Sequence, residues 1–262
     1  MSTASPSGTV RLRRDGHAAH ILFDRPEARN AFTWSMYEEL DAICAQLSAD
    51  DSVRAVTFRG AGGRAFVAGS DIGQFLEFRD GADGVAYEAK MNRYFRRLLD
   101  MPMPTVAIVD GWAVGGGLNI AACCDIRLAA RGARFGTPIA RTVGNCVSME
   151  TYARILAGFG ETRAKRMLLL AEFIDAEEAF AAGFVTRLAE PAAMDAAATE
   201  IVEQLLAHAP LTLRVSKEAI RRLTRQSIDP ADDLVAAIYG SEDFRRGVAA
   251  FVGKTKPDWQ GR

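Results

Sequence analysis

The chain has 262 residues, 49% of them hydrophobic and 25% charged, enough for a large core in one domain or one domain plus an appendage. A formal net charge of -1 and a pI near 6.3 argue against nucleic acid or an anionic membrane surface as the main partner. Four cysteines without a C-x-x-C pair and three scattered histidines exclude a zinc clip or a histidine-based triad as the working hypothesis.

The N-terminal "MSTASPSG" has no apolar core, so no signal peptide is expected and the chain reads as cytoplasmic, with reduced thiols. Residues 9–14 and 18–23 read as strands around the Asp15-Gly16 turn. Met36, Leu40, Ile43, Cys44 and Leu47 recur at helical spacing, which predicts an amphipathic helix over 34–48 capped by Thr33. A buried strand follows at 53–58, a helix at 84–99 ended by Pro102 and Pro104, and another buried strand at 105–109. Two more strands are expected at 125–130 and 133–135. The stretch from Met101 to Cys124 carries one charge, Asp110, but its prolines and glycines would leave backbone groups unpaired in lipid, so it is not read as a membrane span. Alternating strands and helices suggest an α/β core with a mostly parallel sheet and no strict sequence repeat. After Pro191 the pattern becomes helical, over 192–207, 211–225, 231–239 and 242–253, with Pro210 and Pro230 as breaks. This divides the chain into a core at 1–190 and a helical region at 191–262. The tail is basic: Arg214, Lys217, Arg221, Arg222, Arg225, Arg245, Arg246, Lys254 and Lys256 form either a solvated helix face or a site for ligand phosphates.

Two glycine-rich turns follow strands. "GAGGRA" at 60–65 matches G-x-G-x-x-A, but "FVAGSD" comes next, without a helical period or a strand-ending acid about 20 positions on, so a dinucleotide turn is not supported. "AVGGGLN" at 113–119 is different. Strand 105–109 leads through Asp110-Gly111 to three glycines, and a helix begins at or near Gly117. Glycine allows close approach, and a helix start leaves N–H groups unpaired with partial positive charge. The turn serves either tight packing or a developing oxyanion. A second amide would have to come from another loop, and "AFVAGSDI" at 65–72 is the candidate.

These segments resemble the crotonase superfamily, which contains the enoyl-CoA hydratases and isomerases. "RPEARNAF" (25–32), "RAFVAGSDI" (64–72), "PTVAIVDGWAVGGGLNIAACCDIRLAA" (104–130), "RFGTPIARTVG" (134–144), "AEFIDAEEAFAAGFVTRL" (171–188) and "RRGVAAFVGKTKPDW" (245–259) fit in order over nearly the whole chain. The resemblance implies a spiral of strand–strand–helix repeats with a C-terminal helical trimerisation region, assembled as a homotrimer or a dimer of trimers. It implies an acyl-CoA thioester as partner, with no cofactor beyond the substrate's coenzyme A and no metal. By position, the amides of Ser70 and Gly116 would hold the thioester oxygen. Ala28, Arg29, Ala68 and Ile72 would line the coenzyme-A groove, with Asp71 beside them. Phe251 and Lys254 match tail positions that approach a coenzyme A, often that of a neighbouring subunit.

The chain departs from the pattern at the chemistry. Family hydratases use two glutamates, 20 positions apart; here those positions are Asn119 and Ile139. Asn119 can orient water or a substrate group but cannot shuttle protons at neutral pH, and Ile139 can only shape an apolar wall. Each missing acid–base group removes a factor of roughly 10²–10⁴. The expectation is therefore an enolate-forming enzyme that does not carry out ordinary two-glutamate hydration. The alternative is a non-catalytic acyl-CoA-binding or scaffold protein. Replacement bases could be Glu150, Glu77, Glu88 or Cys146, each with a plain structural alternative. Arg141 could bind a carboxylate or phosphate, or form a surface ion pair. Trp34 and Trp112 read as core aromatics.

Overall fold

Asp15-Gly16 folds the N-terminus into an antiparallel hairpin, β1 (Thr9–Asp15) and β2 (Ala18–Asp24). The computed structural model describes residues 8–224 and 232–260. α1 (Trp34–Ser48) follows, with the Thr33 hydroxyl accepting from the Met36 amide and Met36, Tyr37, Leu40, Cys44 and Leu47 turned inward. β3 (Ala55–Gly60) and β4 (Ala65–Val67) come next, then a 3-10 turn at Ile72–Glu77. α2 (Gly81–Leu99) begins three residues earlier than its apolar spacing suggests, because the Asp80 side chain accepts from the Ala82 and Asp83 amides. β5 (Thr105–Val109), β6 (Trp112–Val114) and α3 (Gly116–Cys123) form the next turn. β7 (Ile126–Ala130), β8 (Arg134–Gly136) and α4 (Met149–Leu169) form the one after. β9 (Ile174–Asp175), α5 (Ala176–Ala181) and β10 (Arg187–Ala189) complete the sheets. Four helices follow: α6 (Met194–Ala207), α7 (Pro210–Thr224), α8 (Asp232–Tyr239) and α9 (Glu242–Val252). Arg225 and Pro230, expected as a basic residue and a break, lie outside the described residues.

The strands form two sheets, one ordered β1-β2-β3-β5-β7-β10 and parallel after the first hairpin, the other ordered β4-β6-β8-β9. Each of three successive turns sends one strand to the first sheet, one to the second, and then a helix: β3-β4-α2, β5-β6-α3, β7-β8-α4. This is the expected spiral. The repeat is structural, not a repeat of residues, because each turn needs only buried strand positions. β5 is buried throughout and β3 is buried at five of its six residues. Trp112 departs from expectation: as the first residue of the three-residue β6 it is 37% exposed, and it meets Phe173 edge-on.

The last two helices fold back over the chain's own core. Val235, Tyr239, Phe244 and Val248 join Phe75 and Val143 in an apolar cluster. Gly84 makes room for this. A Cβ there would lie 2.2 Å from the Tyr239 ring. α7 is different: none of its residues is buried, and Leu211, Val215, Ile220 and Leu223 are exposed.

Candidate active site

The three glycines have three separate causes. Gly115 adopts φ 53°, ψ -116°, which a side chain would oppose. A Cβ on Gly117 would lie 2.1 Å from the Val67 carbonyl oxygen, and one on Gly116 would lie 2.3 Å from the Tyr37 hydroxyl. α3 can therefore start hard against β4 and α1. Gly69, at φ 107°, turns the chain after β4, and a Cβ on Gly115 would stand 3.8 Å from the Gly69 Cα. The two glycine turns thus abut. Around them, Ala68 donates to Arg29, Asp71 donates to Phe32, and Gly115 donates to Gly136. No acceptor within the described residues takes the N–H of Ser70 or Gly116. Gly116 is the first residue of α3, where an amide has no helical partner. The Ser70 hydroxyl, meanwhile, meets the Tyr37 hydroxyl at 2.9 Å and that of Tyr87 at 3.2 Å.

Both turns open on a cavity of about 510 Å³, which also takes in Ala28, Arg29, Ala68, Asp71, Ile72, Ile139 and Phe251. Arg25 organises the entrance. Only 3% exposed, it donates to Ala31 and to Asp71 Oδ2, the latter at 2.9 Å. Asp71 also accepts from the Gly73 amide, so one carboxylate ties the 25–31 loop to the 68–72 loop. Arg29 and Asn30 both adopt positive φ, and the Asn30 side chain holds that turn through Arg25, Ala61 and Ala65. Arg29 stands exposed at the rim.

One carboxyl lines the cavity away from the solvent. Glu88, on α2, is 7% exposed. Its Oε1 accepts from the Tyr239 hydroxyl at 2.8 Å and its Oε2 accepts from the Ser148 amide at 2.8 Å. Burial pushes this carboxyl up to about 7, against the hydrogen bonds and the Arg154 charge, which favour ionisation. Burial also raises the Tyr37, Tyr87 and Tyr239 phenols, the first to about 12, so all three stay protonated at neutral pH. Asn145, on the same wall, donates to Tyr239 and leaves its buried Oδ1 without a partner.

The other sequence candidates lie elsewhere. Asn119 is only 4% exposed and lies behind the cavity wall, donating to Thr151 at 3.0 Å and accepting from Arg154 at 2.7 Å. Ile139 does contribute an apolar patch. Arg141 lies outside the cavity lining, its guanidinium 5.9 Å from the centre of the Phe173 ring. Lys254 is exposed beyond α9. Glu150 pairs with Arg96 and Arg154, Glu77 is exposed, and burial pushes the Cys146 thiol up to about 12. The tail cations Arg214, Lys217, Arg221, Arg222 and Arg246 are held in ion pairs within this chain, Lys217 in a largely buried one with Asp125. Glu88 is one of four candidate bases that the sequence offers, with Glu150, Glu77 and Cys146. Its only local signal was a glutamate on the inward face of a helix, beside Met91, Tyr94 and Phe95.

No group of three or more His, Cys, Asp or Glu residues suited to a metal ion occurs among the described residues. A family model described as enoyl-CoA hydratase/isomerase matches residues 13–262. The chain is 33% identical over 261 residues to a short-chain-enoyl-CoA hydratase of Clostridium acetobutylicum, covering 94% of this chain and 95% of the relative. It is 30% identical to a crotonyl-CoA hydratase of Syntrophomonas wolfei, over 95% of this chain and 96% of the relative. A crystal structure of an enoyl-CoA hydratase/carnithine racemase from Magnetospirillum magneticum superposes with a TM-score of 0.79 at 34% identity, covering 97% and 96% of the two chains. The chain therefore belongs to the crotonase superfamily, as an enzyme of the enoyl-CoA hydratase/isomerase kind.

Proposed function

We propose that the cavity binds an acyl-CoA thioester with its carbonyl oxygen between the N–H groups of Ser70 and Gly116, and that these amides stabilise an enolate. The observation that carries the reading is the pairing of two unengaged main-chain donors at abutting glycine turns. A Cβ on Gly116 would come 3.5 Å from Ser70 Oγ, so the two residues that carry the donors adjoin. Such a donor contributes about 3–4 kcal/mol when aimed at developing charge. Arg29 at the rim suits a coenzyme-A phosphate, and Phe251 suits an apolar part of the ligand. The reading needs no cofactor beyond the coenzyme A of the substrate.

Ordinary hydration is not the reaction. Asn119 is engaged with Thr151 and Arg154, and Ile139 carries no proton, so neither familiar position can activate water. Hydration of a short trans-2-enoyl-CoA should be very slow; rapid turnover by pure protein would overturn this. The thioester geometry is tested with an acyl-CoA labelled with 13C at C1. Binding should move the C1 resonance downfield as the carbonyl is polarised. A bound ligand whose C1 signal stays at its free position would remove the oxyanion reading.

The exposed apolar residues of α7 support assembly into a homotrimer or a dimer of trimers. Light scattering at micromolar protein should report that assembly, and a monomer would count against it. No described helix is long and apolar enough to cross a membrane, and Cys44, Cys123, Cys124 and Cys146 are free, in keeping with a reducing cytoplasmic setting.

A further inference from the structure

We propose that Glu88 of α2 is the group that takes and returns the α-proton of the bound thioester, and that Tyr239 of α8 is its positioning residue. The proposal rests on the acyl-CoA reading above and adds the proton-transfer group that reading lacks. Three observations carry it. Glu88 is the one carboxyl on the cavity lining, among the described residues, that is not held in an ion pair; Asp71, the other acid there, pairs with Arg25. It shares that lining with Ser70 and Gly116. Its two oxygens each accept one hydrogen bond, from elements far apart in sequence, so the carboxyl is fixed in place. A buried, oriented carboxyl with no ion-pair partner is costly as mere packing, but its near-neutral titration suits proton transfer at physiological pH.

The step balances as a proton transfer. Ionised Glu88 takes the proton from the α-carbon. The C–H electron pair moves into the bond between Cα and C1, and the carbonyl oxygen becomes the oxyanion held by the two amides. In reverse, protonated Glu88 delivers its proton, or a deuteron from solvent, to the α-carbon. No oxidant or second reactant is needed.

Tyr239 tunes the step. Its hydroxyl donates to Glu88 and favours the carboxylate form, while Asn145 donates back to the same hydroxyl. The other titratable and charged groups around Glu88 are Tyr37 on α1, Tyr87 beside it on α2, Cys146 in the loop before α4, and Tyr152 and Arg154 on α4. Burial keeps the phenols and the thiol neutral through the range in which Glu88 titrates, leaving Arg154 as the fixed charge.

The test follows solvent deuterium into the α-position of butyryl-CoA carrying 13C at C1, by NMR, from about pH 5 to about pH 9. Wild-type exchange should rise with pH and level off above a midpoint near 7. Glu88→Gln should lower the plateau by roughly 10²–10⁴-fold while the bound C1 signal remains shifted. Tyr239→Phe should keep the plateau within about threefold and move the midpoint to higher pH, since removing the donor disfavours the carboxylate. A purely structural tether would instead lower exchange equally at every pH. A shifted C1 signal with undiminished exchange in Glu88→Gln, or with no exchange in the wild type, overturns the proposal and spares the oxyanion reading. An unshifted C1 signal sinks that reading itself. An unmoved midpoint in Tyr239→Phe removes Tyr239 from the proposal.

Discussion

The two sides of the cavity are built differently. One side is main chain: β4 and β6 end in glycine turns that expose the amides of Ser70 and Gly116. The other is side chain: Glu88 from α2, Asn145 from the 137–147 loop and Tyr239 from α8 converge across long sequence distances. A main-chain site leaves a compositional mark, because only glycine tolerates the conformation and the close approach. A side-chain site leaves almost none, because glutamate, asparagine and tyrosine are common anywhere.

The contrast can be broken from the main-chain side first. Gly116→Pro in a Tyr37→Phe background removes one amide at a first helical position, where proline is tolerated, and also removes the hydroxyl that the new ring would strike. Thioester-dependent exchange should fall about 10²–10³-fold, with the helix content retained by circular dichroism. Unchanged exchange would rule that amide out.

The next effects concern stability. Gly84→Ala puts a methyl group into the Tyr239 ring and should cost about 1–3 kcal/mol in urea unfolding while raising the pH midpoint of exchange, as the carboxyl loses its donor. Glu88 also links folding to pH. Its folded value, about 7, lies above the ordinary 4.5, so the folded state binds the extra proton between them. Stability from this group is full below about 4.5, declines as pH rises toward 7, and is lost above it, a difference on the order of 3 kcal/mol. Glu88→Gln should therefore gain stability over wild type at pH 8 relative to pH 5 by thermal denaturation. Parallel curves for the two proteins would show that the carboxyl is not held in a desolvated site.

The smallest expected effect is the sharpest on the main-chain claim. Ser70→Ala keeps the amide and loses only the hydroxyl shared with Tyr37 and Tyr87. It should cost about 0.5–1.5 kcal/mol of stability and change exchange by less than about threefold. A loss as large as that of Gly116→Pro would make the Ser70 hydroxyl, and not its N–H, the working group.

Much of the fold was legible along the chain. The Asp15-Gly16 hairpin, the Thr33 cap of α1, the buried run of β5 and the glycine turn into α3 all follow from local rules about turns, caps and periodicity. The early start of α2 was not legible. Gly81 and Gly84 look like poor helix residues until Ala236 and Tyr239 are seen packed where their side chains would be. Asn119 can be read along the chain as an amide after the glycine turn, but its engagement with Thr151 and Arg154 depends on α4 lying beside α3.

The sequence by itself determined the alternation of strands and helices, the glycine turns, and the uncharged residues Asn119 and Ile139 that follow them. Those are properties of single residues and of short-range sterics. Only the tertiary structure decided that α8 folds onto α2, that Glu88 is the carboxyl sealed into the cavity, and that its proton affinity is raised. Desolvation and hydrogen bonding depend on what surrounds a group in space, and those neighbours come from elements up to 151 residues apart.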